Sequence, residues 1–137
     1  MTQENGFTLP ILDKAVLDRL RDELEDDEGI WRLFVQDFIT QLPRRTERLR
    51  AALTGGDMAE AVDAVLSLRT SSQMVGAERL AAIALHVEEA LRQATGADPA
   101  DALPRLAATY QRRINQCGEQ TRNLLKALLR DRPNKTS

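Results

Sequence analysis

Few side chains in this sequence could carry a reaction. There is one histidine, His86, and one cysteine, Cys117. One of each cannot build a disulfide, a tetrahedral zinc site or a histidine cluster. Glu88 and Glu89 are adjacent carboxylates, but neighbours on a helix point in different directions, so they make no acid–base pair. The acidic run Glu23, Glu25, Asp26, Asp27, Glu28 lacks the spaced acids around a turn glycine that a calcium loop needs. It reads as a solvated loop that brings negative charge to the start of the following helix. No glycine-rich phosphate loop and no nucleophile–base pair is recognisable. An enzyme is therefore not expected, nor a resident metal, cofactor or small-molecule substrate.

The composition narrows the class. In 137 residues, hydrophobic types make up 42% and charged types 29%, a globular balance for one domain. Nineteen basic against 21 acidic residues leave a net charge of −2, without the positive field that holds nucleic acid. No apolar run approaches the ~20 residues of a membrane span, and the opening MTQENGFTLP lacks a secretory layout. A cytoplasmic location is expected. Aromatics at 4%, with few Pro and Gly, argue for helices rather than a β-sandwich.

The hydrophobic spacing predicts five helices. Leu12, Val16 and Leu20 mark a short first helix from Leu9 to about Leu24, with Asp13 able to cap it. Trp31, Phe34, Val35, Phe38, Leu42, Leu49 and Leu53 form one stripe from near Gly29, in phase across Pro43, which should bend the helix without ending it. Thr54-Gly55-Gly56-Asp57 supplies a glycine stop and an aspartate cap. The third helix runs from about Met58 to Gln73 with Ala61, Val65, Leu68 and Ser72 inward, and the fourth from about Ala77 to Ala94 with Leu80, Ile83, Ala84, Val87 and Leu91 inward. Asp98-Pro99 suits a cap and first helical position, although Pro104 leaves the start of the last helix open. Leu103, Leu106, Tyr110, Ile114, Cys117, Thr121, Leu124, Leu125 and Leu128 then keep a helical period, which makes Cys117 a buried, reduced thiol. Short loops favour an all-α, antiparallel up-down four-helix bundle with an additional short N-terminal helix. Residues 1–8 read as an arm, 9–130 as the bundle and 131–137 as a tail. Ala61, Ala64 and Ala84 would let the third and fourth helices approach closely.

One stretch says more than periodicity does. Leu66-Ser67-Leu68-Arg69-Thr70-Ser71-Ser72 followed by Gly76-Ala77 and Leu80-Ala81 resembles the histidine-containing phosphotransfer (HPt) domains of phosphorelays, whose motif reads H-x-L-K-G-S-S-x-x-x-G-A-x-x-L-A. Leu68, Ser71, Ser72, Gly76, Ala77, Leu80 and Ala81 match, Arg69 stands for the Lys, and Val87-Glu88 for a following Leu-Glu pair. Phe38, Pro43, Leu49 and Gly56-Asp57 match upstream, so the resemblance spans about Asp13 to Leu128. It implies an HPt-like bundle whose partners are receiver domains or histidine kinases.

The resemblance places the phospho-accepting histidine at position 66, where this chain has Leu66, and a glycine at position 70, where it has Thr70. An imidazole nitrogen takes the phosphoryl group through its lone pair; a leucine has none. Ser67 and Thr70 offer hydroxyls, but their phosphoesters are poor donors for onward transfer. At ~100° per residue, Leu66 lies ~130° from the inward centre of its helix and should face mostly outward. Val62, Arg69, Thr70 and Gln73 surround it, and Arg45 of the preceding helix falls near its level, where it could meet the acidic pocket of a receiver. The expected function is a non-catalytic module that binds receiver or kinase domains through this patch. Two alternatives stand beside it: phosphotransfer through His86, which lies ~120° from its helix's inward centre and so near the surface, and a bundle for oligomerisation or ligand binding unrelated to phosphorelays.

Overall fold

The computed structural model describes residues 9–24 and 28–131. Five helices follow in order: α1 (Lys14–Glu23), α2 (Glu28–Thr54), α3 (Met58–Met74), α4 (Glu78–Gln93) and α5 (Pro99–Asp131). Helix α2 packs on α3 and α5, and α4 packs on the same two, so α2 to α5 form a four-helix ring with α1 against α2. Connections of a few residues between α2 and α3, α3 and α4, and α4 and α5 make successive helices antiparallel. The expected architecture is the one observed.

The core comes from the anticipated stripes. Trp31, Val35, Leu42, Leu49 and Leu53 of α2, Ala61, Val65 and Leu68 of α3, and Leu80, Ile83, Val87 and Leu91 of α4 are buried together. Ala61 and Ala64 of α3 and Ala84 of α4 are buried too, which lets these two helices come together closely. Helix α2 continues through Pro43, as its unbroken stripe required. On α5 the stripe needs one correction: Leu124 is 44% exposed while Leu125 is fully buried. Two successive leucines cannot both face one groove, since each residue turns the helix by ~100°, and Leu129 takes the next core position.

Both ends of the α3 hairpins are closed by the same device. Asp57 N–H donates to Ala52 O and Gly56 N–H to Leu53 O; Ala77 N–H donates to Ser72 O and Gly76 N–H to Gln73 O. These are Schellman closures, which need a left-handed residue, and Gly56 and Gly76 supply it with φ of 69° and 74°. The caps at Asp13, Asp57 and Asp98 all form, accepting from Ala15, Glu60 and Ala100 N–H. With Asp98 capping, α5 begins at Pro99 and carries Pro104 inside it.

The first helix is shorter than its hydrophobic spacing suggests. It starts at Lys14, and residues 9–13 lie across the α3–α4 turn instead. Asp13 N–H donates to Gly76 O at 2.7 Å, Arg79 N–H to Pro10 O at 3.1 Å, and Arg79 Nε to Leu9 O at 2.8 Å. Pro10 disfavours helical geometry at Leu9, and the Gly76 carbonyl, which also accepts from Glu78 N–H, offers the lead-in a partner that a helix would not. Leu17, rather than the spacing-four set of Leu12, Val16 and Leu20, is the buried residue of α1. Most of the acidic run after α1, and the segments read as arm and tail apart from Asp131, lie outside the described residues; α5 itself continues to Asp131.

Candidate functional site

Leu66 sits in the middle of α3, a helix fixed by its neighbours on both sides, α2 and α4. Those flanks explain why Leu66 is half-buried rather than mostly outward. The helical wheel gives the direction of a side chain but not the width of the helices beside it. Val62, one turn before, and Thr70 and Gln73, one and two turns after, are exposed. Together they form a strip of aliphatic and uncharged polar surface down the outer face of α3.

The charges beside this strip are engaged. Arg69 donates from Nε to Glu88 Oε1 of α4 at 2.8 Å, and Arg92 reaches the other carboxylate oxygen at 3.3 Å. The Arg69 and Glu88 side chains are only 26% and 14% exposed, so this pair is part of the α3–α4 seam. On the α2 side, Arg48 donates to Glu60 and Asp63 of α3, at 2.5 and 2.9 Å. Those two hydrogen bonds push its pKa further up, so it stays cationic. Arg50 pairs with Glu47, whose carboxyl is held below its usual value by that hydrogen bond. The Ser71 hydroxyl donates back to Ser67 O at 2.8 Å and Leu68 O at 3.2 Å, a use of hydroxyls inside helices that points the hydroxyl proton at the backbone.

The Arg45 side chain reaches past Leu66. It is half-buried and lines a small hollow of about 100 Å³ with Phe34, Asp37, Phe38, Ser71 and Met74. Ser71 and Met74 lie beyond Leu66 toward the α3–α4 turn, so the long Arg45 side chain serves the end of the strip rather than its centre. Apolar surface not anticipated from the periodicity is also present. Leu33 is 67% exposed, and Ile30 and Met74 are exposed as well. Ile30, Leu33 and Asp37 share a face of α2 by their spacing, a second stripe masked in the sequence by the stronger one through Trp31 and Phe38.

His86, expected near the surface, is half-buried on α4 and has an interaction within the protein. Cys117 is buried on α5 as expected, and burial pushes its thiol pKa up, which keeps it protonated.

The family profile described as Hpt domain matches residues 33–130, which include α3, α4 and the whole strip around Leu66. The chain belongs to the Hpt domain family. The fold agrees: the chain superimposes on histidine-containing phosphotransfer protein B (HptB) from Pseudomonas aeruginosa PAO1 with a TM-score of 0.71 at 24% identity, over 90% of this chain and 98% of that one. The HPT domain of a sensor hybrid histidine kinase from Shewanella gives 0.61 at 15% identity, over 86% and 95%. No curated protein matches. At these identities the structural matches establish the fold of this Hpt domain, and the family, whose members are phosphoryl carriers rather than enzymes in the strict sense, places it in phosphorelay signalling. The family match also sets aside a bundle unrelated to phosphorelays. Among the described residues no helix is long and apolar enough to cross a membrane.

Proposed function

We propose that this Hpt domain binds receiver or histidine-kinase domains without carrying phosphate. One observation supports the reading: the motif read in the sequence puts its accepting histidine at position 66, where α3 carries a half-buried leucine. Transfer needs a nitrogen lone pair to attack the acyl phosphate of a receiver aspartate, and the phosphoramidate formed must then give up its phosphoryl group. A hydrocarbon can do neither step. Thr70, where the motif has glycine, adds a β-branched side chain beside the vacated position. The strip of Val62, Leu66, Arg69, Thr70 and Gln73, with Arg45 at its end, is what remains for a partner to recognise. A fold can keep such a docking surface after losing its chemistry. The module is cytoplasmic on this reading and uses no cofactor.

A binding screen tests the proposal. The full chain is titrated against the receiver and kinase domains of its host. Binding without transfer of labelled phosphate is expected, and absence of binding to all of them overturns the reading. Label that appears on the protein and is lost in His86→Ala would reassign it as an active carrier. His86 is poorly suited to that role, because it is half-buried, already engaged, and close in sequence to Glu88 and Glu89.

A further inference from the structure

The charges around Leu66 say which form of a receiver this surface fits. A receiver offers two chemical states of the same pocket, an aspartate carboxylate or its acyl phosphate. The second carries a phosphoryl group, with about one further negative charge, since the carboxylate's own charge is lost in the anhydride, and three strong acceptor oxygens. A surface that closes over the phosphorylated state must provide donors and positive charge, because an anion left dry and unpaired is costly.

The strip offers no positive charge at its centre, and its only donors are the neutral groups of Thr70 and Gln73. Leu66 and Val62 are hydrocarbon, and Thr70 and Gln73 are uncharged. The nearest cation along the helix is Arg69, three residues on, and it is turned to the α4 side. Its Nε donates to Glu88 at 2.8 Å, and it keeps only about a quarter of its side chain exposed. Glu88 is shared with Arg92. Releasing Arg69 to a phosphoryl group would leave a largely buried carboxylate with the more exposed Arg92 alone. On the opposite flank Arg48 is divided between Glu60 and Asp63. Arg45 lies in the hollow with Asp37, Ser71 and Met74, past the turn that carries Leu66.

We infer that the Leu66 face binds the unphosphorylated form of a receiver domain in preference to the phosphorylated form, so that the module holds resting receivers and releases them on phosphorylation. This rests on the docking reading above and adds to it the state of the partner. Phosphorylation of the receiver would put charge against a strip whose flanking cations Arg69 and Arg48 are committed to carboxylates of the same domain, with Arg45 set at its end. The aliphatic contact remains the same in both states, so the discrimination comes from the phosphoryl group.

The test is a calorimetric titration of the full chain against a receiver found in the screen, with magnesium alone and with magnesium plus beryllofluoride, a phosphoryl mimic. Binding weaker by about tenfold or more in beryllofluoride is expected from the cost of an unpaired anion. Equal or tighter binding in beryllofluoride overturns the inference while leaving the docking reading standing. Failure to bind in both conditions, across all receivers, removes the docking reading and this inference with it. A second variant isolates the cause. Thr70 is exposed, so Thr70→Arg should fold and place an uncommitted cation one turn from Leu66. It should narrow the ratio between the two conditions several-fold. An unchanged ratio in a variant with native circular dichroism would show that missing positive charge is not what discriminates.

Discussion

Two leucines separated by one residue on α3 do different work. Leu68 is fully buried between the helices, whereas Leu66 is half-buried at the edge of the docking strip. Leu68→Ala should cost about 2–5 kcal/mol in urea unfolding, from lost transfer energy and the cavity left behind. Leu66→Glu should cost about 1 kcal/mol, because the new carboxylate can turn to water, and yet it should weaken receiver binding. A stability loss at Leu66 as large as at Leu68 would mean the side chain belongs to the core. Restoring chemistry asks for more than one change: Leu66→His with Thr70→Gly should accept label from a phosphorylated receiver more readily than Leu66→His alone, in a gel assay of labelled phosphate. Cys117 gives a check on burial at the same scale. Its thiol should react with an aromatic disulfide reagent only after denaturation. Because burial raises its pKa above the ordinary 9.0, the fold favours the protonated thiol. Its contribution to stability is present below the ordinary value and is lost as pH climbs through the raised one, so Cys117→Ala should flatten an alkaline decline.

At the scale of elements, Gly76 joins two features that its motif position alone does not reveal. It closes α3 with φ of 74°, and a Cβ built there would lie 2.7 Å from Asp13 O. Gly76→Ala therefore combines left-handed strain with a clash against the lead-in to α1, and should cost about 2–4 kcal/mol. Gly96, with φ of 98° and open space around its missing Cβ, separates the two effects. Gly96→Ala should cost only the strain, about 1 kcal/mol, in the same thermal or urea unfolding. Elements governed by local chemistry were legible in the sequence. The Gly56-Asp57 punctuation, the caps and the stripe across Pro43 all depend on residues within a turn or two of one another. The lead-in at residues 9–13 was not legible, because its hydrogen bonds go to Gly76 and to Arg79, more than sixty residues away. For the same reason the strip around Leu66 was legible as a set of spacings. The pairing of Arg69 with Glu88, and the reach of Arg45 toward Met74, depend on how α2, α3 and α4 meet.

The whole molecule divides into a ring that carries the site and a helix strapped to it. Helices α2 to α5 supply the buried core except for Leu17 of α1 and Val75 and Ala77 of the α3–α4 turn. Helix α1 adds the Arg21 guanidinium 4.4 Å above the ring of Trp31, and it is tethered through Leu9, Pro10 and Asp13 to the α3–α4 turn. One buried leucine, the partly buried Leu12, Leu20 and Leu24, one cation–π contact and a few hydrogen bonds are less than a central helix has. Local opening follows the number of buried contacts, so α1 should open while the ring remains closed. In native-state hydrogen exchange, the amides of residues 14–23 should exchange at a lower free energy than those of Leu49, Leu68, Val87 and Ile114. Arg79→Ala removes the side-chain bond to Leu9 O and retains the backbone bond to Pro10 O. It should therefore speed exchange in α1 several-fold and leave α2 to α5 almost unchanged. If α1 instead exchanges together with the ring, the strap is part of one cooperative unit, and loss of Arg79 should lower the unfolding free energy of every helix alike. The two outcomes differ in consequence for the site: with an independent ring, the Leu66 strip keeps its shape whether α1 is docked or open, because its flanking pairs all lie within α2, α3 and α4.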